Sequence, residues 1–355
     1  MSVAYVCANI VGKCGGIPTT AYHEVLALYN SKLLKLLFCN DYLGEEILKD
    51  CAIVTTGTND KEIMDCIVER HFDNDCDVLH SWGSHTYMSA RKLKQQNKIL
   101  IFTFADPFLP KPLLEERVKF NIPLYREGEN EAWNKLLWNI RDADYIIANS
   151  NFTKRGIVNV GMPAEKVFIN HSGVDLPEKI PPYPEEFKAS FLGTSCLRKG
   201  TPYLIQAFAK TPEIKLLLQG GYHPELHKFL ESSLTPNIEM GGYSIHIFNF
   251  FAQTSVYIQP GIVDGCPLTI LEAMAYERPV IATTNCGSGE LIEDGKSGFI
   301  IPIRSPEAII EKVLYFKDNP SEIERMGKNA RKIVENHTWE NNEKKLSEIY
   351  KIISS

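Results

Sequence analysis

The stretch Gln259-Pro-Gly-Ile-Val-Asp-Gly-Cys-Pro-Leu-Thr-Ile-Leu-Glu-Ala-Met-Ala-Tyr-Glu-Arg-Pro-Val-Ile-Ala-Thr-Thr284 decides the fold. An apolar strand ends at Gln259, a loop follows, and Pro267 sits at the first turn of a helix, where its missing N–H costs little. The helix stops before Pro279, and a second strand begins there. Amides at Leu268 and Thr269 have no intrahelical acceptor, so the helix start is an anion site. Asp264 lies ahead of it, Gly265 and Cys266 complete the turn, and Glu272 lies about 7.5 Å along the axis. A diphosphate across the helix start would have one acid on each side. Glu272 is then placed for the two hydroxyls of a ribose, and Asp264 for hydroxyls of a sugar.

Outward from this segment, short apolar runs alternate with amphipathic stretches. Residues 3–7, 33–38, 52–55, 78–80, 99–104, 145–148 and 167–169 read as strands, with helical patterns at 19–29, 61–70 and 88–96. Residues 175–186 carry four prolines and read as a linker. The alternation then restarts with strands at 189–193, 214–219, 256–259 and 279–283, and an amphipathic helix closes the chain at 338–353. Residues 107–112, from Pro107 to Pro112, read as an irregular loop. Both halves open with a strand, a glycine-containing loop (residues 12–16 and 193–200) and a helix, the unit that cradles phosphate. The expected fold class is α/β, with two Rossmann-like, doubly wound parallel-sheet domains facing each other across a cleft. The expected division is 1–176, a linker at 177–187, a second domain at 188–336, and a helix at 337–355 packing back toward the first. Neither half has G-x-G-x-x-G at its opening loop, which argues against an NAD-dependent oxidoreductase.

At 355 residues, two domains are the natural expectation. A net charge of −6 argues against a nucleic-acid binder. Nine cysteines without a C-x-x-C pair fit a reducing compartment better than a disulfide framework or a zinc site. The chain starts directly into an apolar strand, and no apolar run approaches the roughly 20 residues that cross a bilayer. A cytoplasmic location is expected.

The central segment resembles glycosyltransferase family 4, the retaining enzymes of the GT-B fold. Their signature is an acid, seven residues and a glutamate, then Ala-Met-Ala and a Pro-Val-Ile-Ala-Thr strand. Here these are Asp264, Glu272, Ala273-Met274-Ala275 and residues 279–283. The first acid is more often glutamate in the family, so Asp264 is a shortened version. Residues 191–208 resemble the family's phosphate loop, with Lys199 retained, Arg198 beside it, and Thr194 where arginine is common. Gly15 and Gly16 match the glycine loop that approaches sugar and diphosphate. His80 matches the histidine ending a family strand, while Ala105 replaces a second histidine, with Asp106 adjacent as a partial substitute.

The resemblance implies a donor that is a nucleoside-diphosphate sugar, with GDP-mannose a mild favourite and UDP-linked hexoses close behind. It leaves open a glycan, lipid or protein acceptor, peripheral membrane contact, and a monomeric or homodimeric state. It implies same-face attack, with Asp264, Lys199 and Arg198 as the catalytic set and no cofactor or metal. The acid pair Asp73-Asn-Asp75 reads as a solvated turn rather than a metal site. The rival readings are a catalytically weakened GT-B module that binds a sugar nucleotide or glycan, motivated by Ala105 and Thr194, and a GT-B phosphorylase or epimerase.

Overall fold

The computed structural model describes residues 1–7, 9–10, 16–42, 48, 51–57, 60–72, 75–83, 85–122, 129–243 and 246–355. The chain forms two compact units. One comprises Met1–Phe108, Tyr125–Gly173 and Trp339–Ser355, and the other Leu109–Leu124 and Val174–Thr338.

The first unit holds a seven-stranded sheet: β1 (Val3–Val6), β2 (Leu34–Cys39), β3 (Ala52–Thr55), β4 (Val78–Trp82), β5 (Ile99–Phe104), β6 (Tyr145–Ala148) and β7 (Val167–Ile169). Its order is β3-β2-β1-β4-β5-β6-β7, with every pairing parallel. The second unit holds β8 (Lys188–Leu192), β9 (Lys215–Gln219), β10 (Ile238–Gly242), β11 (Val256–Gln259), β12 (Val280–Thr283) and β13 (Gly298–Ile301). These run β10-β9-β8-β11-β12-β13, again all parallel. Each unit is therefore doubly wound, as the strand–helix alternation predicts. β1, β4, β11 and β12 are buried along their whole length; β1 and β12 accordingly read as nearly unbroken apolar runs, while β4 and β11 bury His80, Ser81 and Gln259 among apolar residues.

The two strand orders reverse at equivalent places, between β1 and β4 and between β8 and β11. In open α/β sheets the crevice at such a switch point is where ligands bind. In the second unit, the loops leaving the carboxyl ends of β8 and β11 therefore emerge side by side. Those two loops carry Lys199 and Asp264.

Residues 107–109 carry no helix or strand, as expected, but from Pro110 the structure departs from the irregular loop. A helix runs from Pro110 to Lys119, with its prolines in the first turn, where they displace no intrahelical bond. It packs within the second unit. Its buried Glu116 accepts from the Tyr203 hydroxyl at 2.6 Å and from the Arg304 guanidinium, while Lys119 lies over the Tyr203 ring at 4.4 Å. Residues 175–187 contain no helix or strand. They are held by buried Arg278, which donates to the carbonyls of Pro181 and Pro182 at 2.9 and 3.0 Å and stacks on Tyr183. In the first unit the helix Trp339–Ile353 covers the sheet beside the helix Gly16–Asn30, burying Leu346, Ile349 and Tyr350.

Candidate functional site

Backbone requirements bring the loops after β8 and β11 into register. Gly200 takes φ +68° ahead of the helix Thr201–Ala209, and a Cβ there would stand 1.8 Å from the Pro260 carbonyl oxygen, so only glycine fits. The amide of Ile262 donates to the Arg198 carbonyl at 2.9 Å. The amide of Asp264 donates to Asn285 O at 3.0 Å, and the amide of Gly287 to Asp264 O at 2.8 Å. Asp264 thus sits on fixed backbone.

Its carboxylate takes three donors. Arg198 Nη1 reaches Oδ1 at 3.0 Å, Lys199 Nζ reaches Oδ2 at 3.1 Å, and Gln259 Nε2 reaches Oδ2 at 3.2 Å. Burial by itself would raise the Asp264 pKa. The charges and hydrogen bonds of Lys199 and Arg198 outweigh it and carry the group below its ordinary value. The ammonium of Lys199 also passes 3.6 Å from where a Gly193 Cβ would lie, against backbone at φ +134°. Of the three charged side chains, Asp264 is 8% exposed, Lys199 17% and Arg198 44%, so the cations face outward from the acid that anchors them.

Beside this cluster the helix Leu268–Ala275 begins. Pro267 is its N-cap, one position earlier than the sequence reading had it, and no side chain caps the turn. The first amides, at Leu268 and Thr269, are therefore left for another acceptor, next to two cations. Gly265 and Pro267 are buried, and Cys266 is partly exposed and accepts a hydrogen bond from Ser288 Oγ at 3.2 Å. On the following turn, the Glu272 carboxyl makes no hydrogen bond or ion pair among the described residues, while its carbonyl accepts from the Tyr276 amide. Burial, with the Asp175 carboxylate nearby, pushes its pKa up to about 7. The carboxyl is poised to take hydrogen-bond donors that the protein does not supply.

Two buried residues of this site escaped the sequence reading. Tyr257 and Gln259 alternate on β11, and Tyr257 hydrogen-bonds to both Gln259 and Thr269. The signal was present: a glutamine two residues after a tyrosine shares its face of the strand.

The residues expected in the first half are placed differently. β4 continues past His80 to Trp82, so the histidine is interior rather than terminal. It is fully buried, with Nε2 2.8 Å from Thr103 Oγ1 and Nδ1 2.9 Å from the Tyr350 hydroxyl. Glu24 lies in the same cluster and accepts from Tyr5 at 2.5 Å, Trp82 at 2.9 Å and Thr103 at 3.1 Å. Both ring nitrogens of His80 meet hydroxyl groups rather than charges, and the ring is neutral. Burial pushes His80 down to about 3 and Glu24 up to about 7. His80 thus presents no atom to a ligand. Asp106 is exposed and accepts from the amide of Phe108 at 2.7 Å. Gly16 starts the helix Gly16–Asn30 at φ +59°. Gly15, with the rest of residues 11–15, lies outside the described residues, as do Asp73 and Asn74. Asp75 pairs with exposed Lys35 at 3.4 Å.

Two doubly wound parallel sheets, the second carrying cations and an uncapped helix start at its switch point, define the GT-B class of fold. Residues 175–333 match the family model described as glycosyl transferases group 1, and residues 65–178 match glycosyltransferase family 4. The two segments together match glycosyltransferases of the family 4 type, and the fold is that of GT-B glycosyltransferases. A sucrose-phosphate synthase from Thermosynechococcus elongatus superposes with a TM-score of 0.80 at 17% identity, covering 99% of this chain and 98% of that one. The Anabaena protein HepE, in complex with UDP and glucose, superposes with a TM-score of 0.75 at 15% identity, covering 100% of both chains. In sequence, a capsular polysaccharide biosynthesis glycosyltransferase from Staphylococcus aureus is 29% identical over 160 residues, 43% of this chain and 42% of the relative. The chain spans about half the length of the curated relatives it matches. No helix among the described residues is long and apolar enough to cross a membrane.

Proposed function

We propose that the protein is a retaining glycosyltransferase that moves a hexose from a nucleoside-diphosphate sugar to a glycan, lipid or protein acceptor. The carrying observation is the pair Arg198 and Lys199, held by Asp264 beside the uncapped start of the helix Leu268–Ala275. A diphosphate there meets two cations and the helix amides at once, and the same donors meet the charge that grows on it as the glycosidic bond breaks. Glu272, one turn along, takes the ribose hydroxyls. Asp264, still held by Gln259 and Arg198, is left to face the sugar when phosphate oxygens replace it on Lys199. No carboxylate is assigned as a covalent nucleophile: attack is on the same face, and the leaving phosphate oxygen receives the acceptor's proton. Charge neutralisation by Arg198 and Lys199 makes a resident metal unnecessary in this scheme.

For the donor, the mannose reading from GDP-mannose stands beside UDP-glucose, since one similar structure holds UDP-glucose. The test is calorimetric titration of GDP-, UDP- and ADP-sugars, followed by assays of donor hydrolysis and transfer with whichever binds. Binding with turnover supports the proposal. Tight binding without turnover identifies a binding module instead, and no binding by any of the three removes the donor site.

A further inference from the structure

Tyr257 and Gln259 sit two residues apart on one face of a strand otherwise made of Val256 and Ile258. Both side chains are buried, where an apolar pair would build the strand without polar groups to satisfy. Their hydrogen bonds form a chain instead. The Tyr257 hydroxyl is 2.6 Å from Thr269 Oγ1 and 2.7 Å from Gln259 Oε1, and Gln259 Nε2 is 3.2 Å from Asp264 Oδ2.

The ends of this chain fix its direction. A carboxylate and an amide oxygen only accept, so Gln259 donates to Asp264 and Tyr257 donates to Gln259. The same Tyr257 hydroxyl also faces two further acceptors, Thr269 Oγ1 at 2.6 Å and the Leu192 carbonyl at 3.4 Å, so it ties the strand to the first turn of the helix. Burial pushes the phenol well above its ordinary value, which keeps it a proton donor throughout the working range.

At the other end, Lys199 and Gln259 share the same carboxylate oxygen. The amide takes part of the charge on the oxygen that Lys199 meets, while Arg198 holds the other oxygen. The lysine is held in place but less tightly than in an isolated ion pair, and Asp264 stays anchored when Lys199 leaves.

We propose that Tyr257 and Gln259 are positioning residues of the donor site, forming with Thr269 a buried relay that anchors Asp264 and lets Lys199 exchange it for a phosphate oxygen. The relay rests on the donor reading above. It also gives the short acid of this chain a partner that a plain apolar strand would lack.

The test is calorimetric titration of UDP and GDP into the wild-type protein and into Tyr257→Phe, Gln259→Leu and Gln259→Glu, at pH 6 and pH 8, with each Tm measured alongside. Gln259→Leu should weaken binding about tenfold relative to wild type at the same pH, and Tyr257→Phe about threefold. Gln259→Glu should bind poorly at pH 8, where a second carboxylate repels Asp264, and recover in part at pH 6, where a neutral carboxyl donates again. A purely structural role predicts lower Tm with wild-type affinity in the folded molecules. That result, or no pH-dependent recovery in Gln259→Glu, overturns the relay. Tyr257→Phe loses a single oxygen and keeps the test available if the Gln259 variants do not fold. A wild-type protein that binds neither nucleotide would overturn the donor reading and the relay with it, an outcome distinct from binding that the variants leave unchanged.

Discussion

Each unit buries one carboxylate near the switch point of its sheet, and the two are treated in opposite ways. Among the described residues, Glu24 of the first unit accepts from neutral donors, Tyr5, Trp82 and Thr103, and burial raises it to about 7. Asp264 of the second meets Arg198 and Lys199 and is carried below its ordinary value. The Glu24 cluster is sealed: His80 and Tyr5 are 0% exposed, and both His80 nitrogens are engaged. The Asp264 cluster opens outward through Arg198. A sealed network of neutral donors does interior work, satisfying polar groups and fixing how the helix Trp339–Ile353 covers the sheet. A fixed acid with two outward cations holds charge ready for an anion that the protein does not itself provide. Burial of a titratable group at the expected strand therefore does not make a site; what matters is which charges surround it and whether they reach solvent.

Two substitutions separate these roles. The larger effect belongs to Lys199→Ala. Removing a preorganised donor from a developing anion costs about 3–4 kcal/mol of barrier, so turnover should fall roughly 100- to 1,000-fold in a steady-state transfer assay, with Tm little changed. Ordinary turnover by this variant would move the donor site elsewhere.

The smaller effect belongs to Glu24→Gln and is read as stability against pH. Glu24 is raised from 4.5 to about 7, so its contribution is complete below about pH 4.5 and is lost as the pH rises through 7. His80, lowered from 6.5 to about 3, runs the other way: its contribution is present above about pH 6.5 and is lost on acidification. Glu24→Gln does not titrate, so its Tm should fall less than that of wild type between pH 5 and pH 8. The upper bound on the difference is about 3 kcal/mol. Nucleotide affinity should stay at the wild-type value. Equal pH slopes in the two proteins would mean that Glu24 is not held protonated.

Much of the architecture was legible because buried parallel strands are apolar runs and their helices are amphipathic. β10 and β13 were not read as strands. The sequence of β10, Ile238-Glu-Met-Gly-Gly242, is half-exposed and glycine-rich, and Gly298–Ile301 is short and follows a turn. The helix Pro110–Lys119 was missed because its prolines look like breakers until they are placed in a first turn. At the candidate site, Asp264, Arg198 and Lys199, which the structure brings together, stand out in the sequence as charge next to a glycine loop. Tyr257 and Gln259 were missed because a strand residue reads as packing unless its face is followed. His80 was read as the end of a strand because its continuation, Ser81 and Trp82, lacks the apolar pattern that marks the rest.

The central claim is that a nucleoside diphosphate binds between Lys199 and the start of the helix Leu268–Ala275. A crystal structure of the protein soaked with UDP or GDP tests it most directly. The account predicts phosphate oxygens on Lys199 Nζ and the amides of Leu268 and Thr269, ribose hydroxyls on Glu272, and Lys199 turned away from Asp264. A nucleotide bound anywhere else, or one leaving the Lys199–Asp264 pair intact and Glu272 without a ligand contact, would contradict it.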